Sequence, residues 1–133
     1  MNSRLFIVIP CYNEEEVLPI TSKMFLEELE DLIHKGKISD NSRILFVNDG
    51  SKDKTLPILK EIATKDEKAK VISFSRNFGH QAAVTAGLKF VTGDCILIID
   101  SDMQDPPELL VDMLKLWEDG NEVIYAKRKT RKG

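Results

Sequence analysis

The sequence predicts an α/β protein built on a doubly wound, mainly parallel sheet, and three observations carry that reading. Residues 4–9, 43–47 and 95–99 are continuous apolar, β-branched runs, the composition of strands covered on both faces. Between them, apolar residues return every three or four positions, the period of a helix with one buried face. The two kinds of segment alternate along the chain, and right-handed crossovers then gather successive strands into one parallel sheet.

Taken in order, the first strand ends at Pro10, whose ring removes a ladder donor. Val17, Ile20, Met24, Phe25, Leu29, Leu32 and Ile33 make the first helix, with Pro19 in its opening turn and Gly36 beyond its end. The second strand leads to a helix that Asp53 can cap and that carries Leu56, Ile58, Leu59 and Ile62. A short strand at 71–74 precedes a third helix from about Gln81 to Val91, closed before Gly93. After the strand at 95–99, Pro106 and Pro107 open a fourth helix carrying Leu109, Leu110, Met113, Leu114 and Trp117, and residues 122–125 form a fifth strand. No linker, repeat or low-complexity segment interrupts this order, so residues 1–133 read as one Rossmann-like domain. Such sheets bind ligands beyond the carboxyl ends of their strands, at the point where strand order reverses.

The composition narrows the function. With 42% hydrophobic and 31% charged residues among 133, the chain can bury a core without metal or disulfide staples. Cys11 and Cys95 fall at opposite ends of their strands, about 15 Å apart along the strand direction, whereas a disulfide needs Cα atoms within about 7 Å. The apolar runs are much shorter than the ~20 residues that span a bilayer, and no signal-peptide core stands at the N-terminus, so a cytoplasmic location is expected. The net charge is −3, but five of the 19 Lys and Arg lie in the last seven residues; the other 14, set against 22 acids, leave −8 over residues 1–126. An acidic body with a basic end argues against nucleic-acid binding, and leaves the end as an anion contact, an anionic-lipid contact or a plain terminus.

Polar chemistry concentrates after the strands. Pro10, Cys11, Tyr12, Asn13, Glu14, Glu15 and Glu16 follow the first; Asn48 through Thr55 follow the second; Ser75 through Gln81 the third; Asp100 through Asp105 the fourth. Asp100 and Asp102, one residue apart past a buried strand, can converge on an oxygen-loving cation such as Mg²⁺ or Mn²⁺. Asp-x-Asp is also a turn and cap pattern, and the cap reading suits Asp105, which precedes Pro106. Asp49 and Gly50 read locally as a turn, and Asp49 can equally accept a hydrogen bond from a nucleobase. Arg76 reads as a candidate anion contact, and residues 79–81 open a helix whose free N–H groups favour phosphate. His80 reads as a helix-start hydrogen-bonding residue, and His34, on a polar helix end, has no functional claim.

Assembled, these segments closely resemble the donor-binding half of family 2 glycosyltransferases with the GT-A fold. The nearest branch transfers sugars from nucleotide diphosphates to polyprenyl phosphates, and includes the dolichol-phosphate mannose synthases and undecaprenyl-phosphate glucosyltransferases. The matching stretches are residues 9–15, 47–55, 75–83 and 100–108. The resemblance implies that Pro10, Tyr12 and Glu14 line the nucleotide pocket and that Asp49 reads the base; Arg76, read above as a candidate anion contact, is counted with them as a nucleotide-sugar-binding residue. It implies that Asp100 and Asp102 handle the metal, Mg²⁺ or Mn²⁺, and the donor diphosphate, with Gln104 beside metal and sugar. Arg128 and Arg131 resemble the arginines that hold the acceptor phosphate in this branch.

A UDP-sugar is expected in preference to a GDP-sugar, with a polyprenyl phosphate or glycan as acceptor. A polyprenyl phosphate is already an anion, so inverting transfer to it needs no base to take a proton. Members of the family continue with further strands, an acceptor-site helix and often membrane helices. Residues 1–133 are therefore expected to lack the acceptor part, to bind nucleotide sugar yet transfer poorly alone, and to work at the cytoplasmic face of the membrane in the full-length form.

Two other classes share part of the pattern. A haloacid dehalogenase-type phosphatase also places Asp-x-Asp after a buried strand, but early in its domain and followed by Gly-Thr, where this chain has Met103 and Gln104. A receiver-type signalling domain shares the length and element order, but wants acids after the first strand and an aspartate after the third, where this chain has Pro10 and Ser75. Neither Gly-x-Gly-x-x-Gly nor a Walker A loop can be written from this sequence, which disfavours dinucleotide-binding dehydrogenases and P-loop enzymes.

Overall fold

The computed structural model describes residues 4–91, 95–99 and 123–126. In chain order the elements are β1 (Leu5–Cys11), α1 (Leu18–His34), β2 (Arg43–Asn48), α2 (Thr55–Lys65), β3 (Ala69–Ser73), α3 (His80–Phe90), β4 (Cys95–Ile99) and β5 (Val123–Ala126). The strands form one sheet in the order β3-β2-β1-β4-β5, every described pair parallel. All five expected strands are present, as are the first three helices. The expected helix after Pro106 lies outside the described residues.

Burial on both faces explains the unbroken apolar strands. Leu5, Ile7 and Ile9 join Ile44, Phe46, Leu97 and Ile99 under Leu18, Phe25, Leu29 and Leu32 of α1 and Leu59 of α2. The alternate residues Phe6, Val8, Leu45, Val47 and Ile98 meet Ala83 and Val84 of α3 on the opposite face. Strand side chains point alternately to the two faces, so a parallel strand with helices on each side has no polar position to offer. Helix α3 lies close to the sheet at Gly87, where an added Cβ would stand 2.5 Å from a methyl of Val8.

Local chemistry sets the ends. Pro19 sits in the first turn of α1, where its missing N–H costs nothing. The helix ends with Gly36 at φ +73°, its N–H donating to the Ile33 carbonyl while the Lys37 N–H donates to that of Leu32, a Schellman closure. The buried Ser42 hydroxyl accepts the Leu5 N–H at the start of β1.

Strand β1 departs from expectation by running through Pro10 to Cys11. In a parallel ladder, the N–H and C=O of one residue face the same neighbour, and successive residues alternate sides. The Cys11 carbonyl accepts the Asp49 N–H on the β2 side, which turns Pro10 toward β4. There, among the described residues, the pairing register ends at Val8 and Ile98, so no ladder bond to a described residue is lost at the proline. Cys95 pairs in register with Leu5, six residues before Cys11, so the two cysteines are about 20 Å apart along the strands, more than expected.

Strand order reverses between β1 and β4, because β2 and β3 lie on one side of β1 and β4 and β5 on the other. The crevice of such a sheet opens beyond the carboxyl ends of these two strands. Loop 11–17 leaves β1 at that point, and β4 reaches the same edge at Ile99.

Candidate functional site

Three described loops converge on this edge. The loops after β1 and β2 are stitched together, side chain to backbone, in both directions. The Asn13 N–H donates to Ser51 Oγ (2.9 Å), and Asn13 Oδ1 accepts the Lys52 N–H (2.8 Å). The Glu14 N–H donates to the buried Thr55 hydroxyl (2.8 Å). The Glu15 N–H donates to Asp53 Oδ2 (3.2 Å), while Glu15 Oε1 accepts the Lys54 N–H (2.9 Å). Asn13 takes φ +51°, a left-handed conformation that asparagine tolerates better than most residues.

Asp53 also accepts the Thr55 N–H through Oδ1 (2.9 Å), but it stands one residue before the N-cap of α2, which is Lys54 and has no side-chain cap bond, so the expected cap is displaced by one position. Burial raises its carboxyl pKa, but the hydrogen bonds from Thr55 and Glu15 outweigh that and hold it below the usual carboxylate range. Beneath the loops, the Cys11 thiol is buried and donates to the Ile9 carbonyl. Burial, and after it the charge of Glu14, push its pKa far above that of an ordinary thiol, so Cys11 stays neutral.

The loop after β3 is held differently. Asp49 is 3% exposed, and its carboxylate faces residues 77–79. Oδ2 accepts from Asn77 Nδ2 (2.9 Å) and the Gly79 N–H (3.0 Å), and Oδ1 accepts the Phe78 N–H (2.8 Å). Asn77 Nδ2 donates in addition to the Asp49 main-chain oxygen (3.1 Å). Gly50, at φ +62°, lets the two backbones touch: a Cβ there would lie 2.0 Å from the Arg76 carbonyl carbon. Behind them Asn48 ties β2 to β3, donating to Ser73 Oγ (2.9 Å) and accepting the Ser51 N–H (3.2 Å).

The sequence-predicted pocket residues fall into distinct settings. Tyr12 is 43% exposed at the mouth of the loops, and Glu14 is half-buried. Pro10 is buried within β1, so it belongs to the floor. Asp49 reaches the site edge, yet most of its acceptor capacity is spent inside the protein. Arg76 is exposed, with its guanidinium carbon 4.5 Å from the centroid of the Phe78 ring, a cation–π stack. At the entrance to α3 the N–H groups of Phe78 and of Gly79, the N-cap, are given to Asp49, so of residues 79–81 the Gly79 N–H is already taken by a carboxylate of the protein. His80 is the first residue of α3, and His34 closes the last turn of α1.

Asp100, Asp102, Gln104, Arg128 and Arg131 lie outside the described residues. Among the described residues no group of three or more His, Cys, Asp and Glu is placed to hold a metal ion, so these residues alone do not fit one. Among them, too, no helix is long and apolar enough to cross a membrane.

Sequence reasoning missed the bracing role of Asn13, Glu15, Ser51, Thr55 and Asn77. A usable signal was present: short side chains with oxygen acceptors crowd both loops, and adjacent parallel strands must bring those loops together.

The description Glycosyl transferase family 2 matches residues 6–133. The glycosyltransferase YkcC of Bacillus subtilis is 47% identical over 127 residues, 96% of this chain and 38% of its own length. A prophage bactoprenol glucosyl transferase homolog of Escherichia coli is 41% identical over 128 residues, 96% of this chain and 40% of its own length. The chain thus spans about two-fifths of the length of these relatives. Among solved structures, the mannosyltransferase PcManGT of Pyrobaculum calidifontis, in complex with GDP-Man and Mn²⁺, superimposes with a TM-score of 0.66 at 20% identity, over 90% of this chain and 34% of that one. TarS 1-349 of S. aureus in complex with UDP-GlcNAc does so with a TM-score of 0.59 at 25% identity, over 87% of this chain and 31% of its own. The GT-A fold expected from the resemblance is the fold found.

Proposed function

The chain belongs to glycosyl transferase family 2, and from that premise we propose that it is the donor-binding part of an enzyme that glycosylates a polyprenyl phosphate. The donor is a nucleoside diphosphate sugar, UDP-linked in preference to GDP-linked, and transfer is metal-assisted and inverting. The observation that carries the reading is the 41% identity, over 96% of the chain, to a protein whose name couples bactoprenol to glucosyl transfer. The receiver and phosphatase alternatives are set aside by the family match.

Asp49 bears on the base. A carboxylate offers about four lone-pair sites, and here Oδ2 receives two donors and Oδ1 one. At most one site remains. Uracil presents a single N–H on its pairing edge, which one acceptor satisfies; guanine presents N1–H and N2–H side by side and is best met by a carboxylate with both oxygens open. The interlock of residues 13–15 with 51–55 fixes the loop that carries Tyr12 and Glu14 against the loop after β2 before the ligand arrives, which lowers the ordering cost of binding.

In the reaction, an oxygen of the acceptor phosphate attacks the anomeric carbon. The bond from that carbon to the diphosphate breaks, and its electron pair leaves with the nucleoside diphosphate. Because the attacking phosphate is already ionised, the chain needs cations to hold it, the role proposed for Arg128 and Arg131. Asp102 and Asp100 are proposed to hold Mg²⁺ or Mn²⁺, with Gln104 beside the sugar. A divalent cation held there would stabilise the charge on the leaving diphosphate. PcManGT, of like fold, contains Mn²⁺.

Calorimetric titration of UDP, GDP, UDP-glucose and GDP-mannose, with and without Mn²⁺, tests this. Manganese-dependent binding of the uridine compounds, weakened at least about tenfold in Asp102→Ala, is expected. Metal-independent binding, or preference for guanosine compounds, would sink the metal or the base assignment respectively.

A further inference from the structure

We propose that Asn77 is a positioning residue for base recognition: it touches no ligand, but sets the orientation in which Asp49 presents its one remaining acceptor. This rests on the donor-site reading above.

The geometry singles out Asn77 within its loop. Residues 75–78 are all exposed, so no core packing calls for an asparagine there. Its amide nitrogen nevertheless donates to two oxygens of one residue, the main-chain oxygen (3.1 Å) and carboxylate Oδ2 (2.9 Å) of Asp49. Both partners are acceptors, so the amide orientation is unambiguous, and the two N–H bonds of Nδ2 serve one each. Gripping backbone and side chain of the same residue fixes the carboxylate plane relative to β2. Without that grip, the Phe78 and Gly79 N–H groups still hold Oδ1 and Oδ2, but Oδ2 loses one of its two donors and the carboxylate is less tightly fixed. Alanine offers no donor, and serine is too short to reach both oxygens. Aspartate has the right shape with the wrong polarity, setting a carboxylate against a carboxylate.

That last point supplies a test that a purely architectural role would not pass. When two carboxylates share a site, one pKa rises strongly, and the protonated form becomes a donor. Asn77→Asp therefore repels Asp49 at high pH and restores the missing donor at low pH. The charged and titratable residues of these loops, Tyr12, Glu14, Glu15, Glu16, Lys52, Asp53, Lys54, Arg76 and His80, with Cys11 beneath them, are common to parent and variant. The ratio of variant to parent affinity thus isolates position 77.

The probe is UDP with Mn²⁺, titrated into the 133-residue parent, Asn77→Asp and Asn77→Ala at pH 8 and pH 5. Thermal melts at both pH values establish that each protein is folded at the titration temperature. Expected for Asn77→Asp is a loss of about tenfold in affinity at pH 8, shrinking to within about threefold of the parent at pH 5; for Asn77→Ala, a similar loss at both. Variants that melt lower yet bind UDP as the parent does at pH 8 would overturn the proposal, leaving Asn77 a loop brace. A folded parent that binds no nucleotide at either pH overturns the donor-site reading itself, and the proposal falls with it.

Discussion

The loops after β1 and β2 hold each other through many reciprocal bonds, each modest, whereas the loop after β3 is held chiefly at one residue, Asp49. In the first pair, Asn13, Glu15, Ser51, Asp53 and Thr55 each supply one or two contacts, and losing one leaves the rest. In the second, Asp49 alone receives Asn77, Phe78 and Gly79, and the Gly50 backbone packs directly on residues 76–77. The difference teaches that a dense motif can be robust, and a single buried acceptor fragile, though both look alike as polar loop sequence. A donor left unsatisfied costs more the less water reaches it, and these three bonds are partly buried, so concentrating three donors on one acceptor concentrates the risk.

Substitutions rank accordingly. The largest effect is expected for Gly50→Ala. Its Cβ has no room against the Arg76 backbone and its φ of +62° disfavours any side chain, so the midpoint of urea unfolding should fall by the equivalent of about 3 kcal/mol or more. A loss near 1 kcal/mol would show that the 75–79 loop detaches at little cost, and the contrast between the regions would disappear.

Next comes a matched pair. Asp49→Ala strands three donors and should cost roughly 2–4 kcal/mol, while Ser51→Ala removes one acceptor and should cost about 1 kcal/mol, both by denaturant unfolding. Equal losses would refute the distinction between shared and single anchorage.

The smallest expected effect sharpens the picture of the interlocked pair. The folded pKa of Asp53 is lowered, so its contribution is present above its unfolded pKa and is lost as pH falls through the folded value. Stability measured from neutral pH down through the carboxylate range should therefore fall less steeply in Asp53→Asn than in the parent. Identical slopes would mean that the Glu15 and Thr55 N–H groups do not favour the ionised form.

Much of this protein was legible in its residues. Continuous apolar runs marked β1, β2 and β4, shorter ones pointed to β3 and β5, and three- to four-residue spacing marked α1 and α2, because burial acts on each element through its own period. The site edge was legible too, since motif residues cluster after strands. Their partners were not. Asp49 meets Asn77 across 28 positions, and Asn13 meets Lys52 across 39. Nothing local distinguishes an aspartate aimed at a base from one aimed at a neighbouring loop. Likewise Pro10 read as a stop, because only the pairing of β1 with β4 shows that no ladder bond to a described residue is missing there.

The sequence by itself determined the element order, the two buried faces of the sheet and the family to which they belong, since these depend on side-chain type and spacing along the chain. Tertiary structure alone decided the strand order β3-β2-β1-β4-β5, the β1–β2 register that seats loop 13–15 on loop 51–55, and the capture of Asp49 by the entrance to α3. The physical reason is that a hydrogen bond is made with whichever donor lies about 3 Å away, and which donor that is follows from how strands pair, not from how residues succeed one another.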